Sequence, residues 1–194
     1  MNKNEKISAV LERMFGTLTF LPLPISLILW AFIELPSRTT FGIPLFEGPI
    51  GFFGFFGFLS LFDPNLPIMA DLTPSLRLAG FLVYLPLAGL QTYWLWQLKG
   101  LFGCYAKGQI FTSENTAYIR RTAMAFLGIA FMSILVKTAS ILVLTLNNPP
   151  GQKLLSVSFG TPQISDILTG MILVVIAWIM DEGQKLKEEA DYTV

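Results

Sequence analysis

The chain has 194 residues, of which 53% are hydrophobic and only 13% charged, with lysine plus arginine matching aspartate plus glutamate at thirteen each. That charged fraction is about half of what a soluble domain carries, and mean hydropathy is +0.61. Balanced charge excludes a global field that would attract nucleic acid. The lack of histidine and the single cysteine, Cys104, remove the commonest general base, the commonest metal ligand and any intramolecular disulfide.

The first apolar run, residues 15–33, is too long for a signal-peptide core and is not followed by a small-residue cleavage pattern. It reads as a retained transmembrane helix kinked by Pro22 and Pro24. A loop over 34–77 follows. Within it, residues 50–62 read IGFFGFFGFLSLF, too short to cross a bilayer as a helix. The expectation is an interfacial or re-entrant segment, with a ligand-contacting hairpin and a further span as alternatives. Gly51, Gly54 and Gly57 recur at every third position and form a small-residue stripe if the segment is helical.

The second span is expected at 78–98, ending in the interfacial aromatics Tyr93, Trp94 and Trp96, and the third at 122–146. The last, 164–181, is short for a bilayer core of about 30 Å, and Pro162 suits its first turn. Thinning of the bilayer or packing against neighbours absorbs such a mismatch. Fold class is therefore an all-α membrane protein, one domain forming a bundle of four transmembrane helices.

Basic residues give the orientation. Lys3, Lys6, Arg13, Lys99, Lys107, Arg120, Arg121, Lys185 and Lys187 fall at the two termini and the 99–121 connection, against Arg38, Arg77 and Lys153 in 34–77 and 147–163. The positive-inside rule then puts both termini and the central connection in the cytoplasm.

Within that connection, Thr112 or Ser113 can cap a helix, with Glu114 in its first turn. Arg120 and Arg121 are placed to snorkel at the membrane boundary. Capping does not by itself require Gly108, Phe111 and Asn115 together. After Met180 the helix is expected to continue through DEGQKLKEEADYTV, with Asp181–Lys185 and Lys185–Glu189 as pairs four apart and Gly183 as a weak point. This 182–194 tail reads either as a solvated end or as a docking element that packs Leu186, Tyr192 and Val194 against the connection or a partner. Candidate docking residues are Gly108, Phe111, Asn115, Arg120, Leu186, Glu189 and Asp191.

These two stretches resemble the signatures of the bacterial membrane protein family called domain of unknown function 2975. Gly108, Ile110, Phe111, Thr112, Asn115 and Arg120 match its pattern before the third helix, and Gly183, Leu186, Lys187, Glu188, Glu189, Asp191, Thr193 and Val194 resemble its ending. The resemblance implies four spans and a location in the bacterial cytoplasmic membrane. It also implies a neighbouring gene for a small helix-turn-helix regulator, and so a role as the membrane partner of a cytoplasmic DNA-binding protein.

Two ionisable residues are candidate intramembrane polar groups: Lys137 inside the third span and Asp166 at the outer start of the fourth. Lys137 lies about 24 Å of helical rise beyond Arg121, where snorkelling to the outer headgroups explains it. If it faces inward, Asp166 is its natural partner. The neutral interior candidates are Gln91, Thr92, Thr138, Ser140 and Thr169. Cys104 reads as an ordinary small residue. No paired intramembrane aspartates, phosphate-binding glycine loop or basic–aromatic patch is found, so no enzymatic activity, cofactor, metal or direct nucleic-acid binding is expected. The remaining function classes are a sensor or regulatory partner, a small oligomeric transporter or channel, and a structural subunit of a membrane complex.

Overall fold

The computed structural model describes residues 3–32, 73–157 and 159–192, and every regular element among them is an α-helix. These are α1 (Lys3–Leu18), α2 (Pro22–Phe32), α3 (Pro74–Ala106), α4 (Ser113–Thr145) and α5 (Thr161–Tyr192). The glycine–phenylalanine segment 50–62 lies outside the described residues.

Among the described residues, four helical stretches are long and apolar enough to cross a membrane: Lys3–Ile28, Pro74–Ala106, Ser113–Thr145 and Thr161–Leu186. The first is broken rather than kinked. Proline at 22 and 24 offers no N–H to the preceding turn, and its ring clashes with the carbonyl four residues back. The chain accordingly closes α1 with tighter bonds, Phe20 N–H to the Thr17 carbonyl at 3.2 Å and Leu21 N–H to that of Leu18 at 3.1 Å. The Thr19 hydroxyl also donates to the Phe15 carbonyl at 2.7 Å. Pro22 then opens α2, where its missing N–H costs nothing.

The other helices run well past their apolar windows. At 33 residues each, α3 and α4 are about 50 Å long, against a hydrocarbon core of about 30 Å. The α1–α2 stretch packs mainly on α3, α3 on α4, and α4 on α5. Glycines set the closest approaches. A Cβ on Gly80 would overlap the Trp30 indole, one on Gly100 would overlap the Tyr118 ring, and one on Gly170 would fall 2.9 Å from Leu127 and 3.1 Å from the Ala123 carbonyl. Small residues are how apolar helices gain contact where lipid removes the hydrophobic drive to associate.

The main core gathers Phe15, Trp30, Tyr84, Leu87, Trp94, Phe126, Ile129 and Leu144. A second cluster joins Leu101 of α3, Ile119 of α4 and Ala177 of α5. By contrast, Leu168, Met171, Ile172, Val175, Trp178 and Ile179 are all exposed on α5. One side of α5 is thus apolar and exposed among the described residues.

Candidate functional site

The candidate site is the end of the molecule where the start of α1, the α3–α4 connection and the last turns of α5 meet. Its geometry begins with two caps. α3 ends in a left-handed residue, Gly108, at φ +74°. There Gly108 N–H bonds the Tyr105 carbonyl at 3.0 Å and Gln109 N–H bonds that of Cys104 at 3.0 Å. This is the Schellman arrangement, and its left-handed position is why glycine stands there.

α4 begins five residues later. Thr112 is extended and its hydroxyl accepts the Asn115 N–H at 3.3 Å, satisfying one of the free donors of the first turn. Asn115 is fully buried, at 0% exposure, and its Nδ2 donates back to the Ile110 carbonyl. Asn115 therefore holds the 108–112 turn against the first turn of α4. That is the role capping alone did not require of it.

Phe111 and Arg120 reach from this turn to α5. The Phe111 ring lies 3.6 Å from where a Cβ on Gly183 would stand, and the Arg120 guanidinium donates to the Asp181 carboxylate. Both residues of α5 belong to its continuation past the apolar run. From the other flank, Glu12 of α1 lies 3.3 Å from the Cβ position of Gly103 and Glu5 approaches Gly108 at 3.9 Å. Phe15 stacks on Phe102 with centroids 5.3 Å apart.

Gly108, Phe111, Asn115 and Arg120 are thus brought together, and the residues they meet on α5 are Asp181 and Gly183. Asp181 does not pair with Lys185 as its four-residue spacing predicts. Lys185 bonds Glu182 instead, at 3.2 Å, because Arg120 draws Asp181 across to α4. No local pattern in the sequence pointed to this pair. Leu186 does not pack on the connection; it is 61% exposed. Glu189 is exposed as well, and the Asp191 and Tyr192 side chains and Val194 lie outside the described residues.

Lys137 and Asp166 occupy the opposite half of the molecule and form no ion pair with each other. The register between α4 and α5 is the reason. Leu127 meets Gly170, and Ser133 Oγ accepts from Gln163 Nε2 at 3.0 Å. Asp166 therefore falls between those two levels, while Lys137 lies beyond the second. Asp166 is only 7% exposed and has no hydrogen bond or ion pair among the described residues. Gln91 is buried and accepts from the Tyr84 hydroxyl at 3.3 Å. Cys104 is buried and free. No cluster of metal-ligating side chains occurs among the described residues.

Four membrane-length helices and one polar end cross-braced by charge and aromatic contacts define the class, an all-helical candidate multi-pass membrane protein. Residues 63–194 match the family described as protein of unknown function (DUF2975), and the chain belongs to that family. The matched range contains all of α3, α4 and α5, and with them every bond described between the connection and α5. No curated protein and no solved structure matches the chain.

Proposed function

We propose that this is a non-catalytic sensor or regulatory protein of the bacterial cytoplasmic membrane, whose cytoplasmic end docks a small helix-turn-helix regulator. The observation that carries the reading is the bracing of the 108–120 segment onto α5 by Phe111 on Gly183 and by Arg120 with Asp181. Around these contacts Ile110, Phe111 and Leu186 stay about half exposed or more, at 50%, 48% and 61%. Exposed apolar side chains rimmed by charge are a typical anatomy for a protein-binding patch. Helices that run past the apolar windows supply the structure on which that patch is built.

The test is retention of the neighbouring regulator by the tagged membrane protein in mild detergent. Wild type should retain it, Phe111→Ala and Leu186→Glu should release it, and Arg120→Asp should weaken retention until Asp181→Arg restores the pair. Equal recovery with all variants, or none with wild type, overturns the reading.

One observation favours a second reading, a small oligomeric transporter or channel. A buried carboxylate on a candidate span, here Asp166 near the start of α5, is costly if it lies in the bilayer, and such groups mark ion pathways elsewhere. Proteoliposome flux that disappears in Asp166→Asn or Lys137→Ala would support it, and absence of flux in the wild type would end it.

A further inference from the structure

The connection between α4 and α5 does not cap the molecule as a loop in water should. With Ser133 level with Gln163, α4 rises about 18 Å further to Thr145, whereas α5 extends only about 3 Å to Thr161. The chain must therefore descend roughly 15 Å along the side of α4 before α5 can start. It makes the descent without helix over 152–157.

Both ends of this strap are pinned. At the top, Leu154 N–H donates to Thr145 Oγ1 at 3.1 Å and Asn148 Nδ2 donates to the Gln152 carbonyl at 3.1 Å. At the bottom, Gly160 N–H donates to Gln163 Oε1 at 3.0 Å, the glutamine that also bonds Ser133. The Gly160 N–H just before α5 is thus satisfied from within the protein, as backbone near a hydrocarbon layer must be.

Among the described residues between the pins, Leu155, Val157 and Phe159 are 71%, 71% and 58% exposed, and Lys153 is exposed with them. Pinned backbone with outward apolar side chains is not explained by packing. Height supplies the explanation. Phe159 stands at about the level of Lys137, one turn above Ser133 on α4, where a snorkelling ammonium meets the headgroups. Below it, the exposed side chains of α5 begin with Ile164 and Leu168. The strap's apolar face continues that uncovered surface upward.

We propose that this strap is a lipid-binding surface: Phe159 and Val157 lie among the acyl chains of the adjacent leaflet, Leu155 lies at its headgroups, and Lys153 and Lys137 face lipid phosphates. The strap completes the apolar length that the short apolar run of α5 lacks. This inference rests on the membrane-spanning reading of the four helices.

Single cysteines at 152, 155, 157, 159 and 172 in a Cys104→Ser background, spin-labelled in vesicles of phosphatidylcholine and phosphatidylglycerol, test it. Oxygen concentrates in the acyl region and a nickel chelate in water. The oxygen-to-nickel accessibility ratio should rise several-fold from 152 through 155 and 157 to 159, approaching that of 172. A high ratio at 172 with nickel-accessible labels at 157 and 159 overturns the strap proposal alone. Low access to both reagents at 157 and 159 also overturns it, by showing protein cover. A nickel-accessible label at 172 overturns the membrane-spanning reading itself.

Discussion

Gly80 shows how much one missing Cβ decides here. The Trp30 indole fills the space that a side chain would take, so Gly80→Ala must displace a buried ring. Overpacking of this kind costs about 1–3 kcal/mol, and denaturant unfolding in detergent should show the loss. Adding the smaller ring of Trp30→Phe should recover part of it. At Gly108 the demand is on the backbone instead. Its φ of +74° is a conformation that costs an L residue about 1–2 kcal/mol, so Gly108→Ala should destabilise by that order although nothing crowds the site. The Arg120–Asp181 pair behaves differently. With its side chains 61% and 34% exposed, its loss should cost under about 1 kcal/mol of stability, so a large effect of Arg120→Asp on partner retention would report docking rather than unfolding.

At this scale the cap of α4 was legible, because Thr112 ahead of an acidic first turn carries local chemistry, whereas the part Gly108 plays in ending α3 at Ala106 was not read from the sequence. The partner of Asp181 was not. Neighbours four apart on one helix are visible in a sequence, but a cation on another helix that outcompetes them is not. Asn115 is the intermediate case: its place in the segment was conspicuous, and its bond to Ile110 explains it only once the turn is seen.

Among the elements, α5 depends most on a single side chain. Gln163 caps its first turn through Gly160 and ties it to Ser133 of α4. Replacement by alanine frees one buried donor and leaves the Ser133 hydroxyl without that partner, each worth about 1 kcal/mol or more. Gln163→Ala should therefore speed hydrogen exchange selectively in the first turns of α5, and leave the α3–α4 pair protected. Uniform acceleration along all helices would contradict this. The short apolar run of α5 was evident from sequence, but its remedy was not. From the sequence the remedies were thinning or packing; the pinned connection descending along α4 is the one proposed above. The broken first span falls between these cases. Two prolines predicted a kink, and the complete break at 19–21 follows from both of them demanding relief within one turn.

For the whole molecule, the distribution of lysine and arginine makes a directional prediction. In a Cys104→Ser background, Gln152→Cys should react with an impermeant maleimide on intact cells, and Gln109→Cys only after permeabilisation. The reverse pattern would invert the orientation. That the start of α1, the 107–112 connection and the end of α5 share one end of the protein does not depend on that outcome, since Glu5 meets Gly108 and Phe111 meets Gly183.

Composition and the length of apolar runs alone pointed to the four membrane-length helices found among the described residues, because a chain built for a hydrocarbon layer has few other ways to satisfy its backbone hydrogen bonds. Local chemistry also marked where α4 begins. Only the tertiary structure decided the rest: that Arg120 takes Asp181 from Lys185, that Lys137 and Asp166 stand at different heights, and that α5 begins far below the end of α4. Each of these follows from helix register. Register is set by where glycines admit a bulky neighbour and where one polar side chain finds another, contacts between residues far apart in the chain that no local pattern encodes.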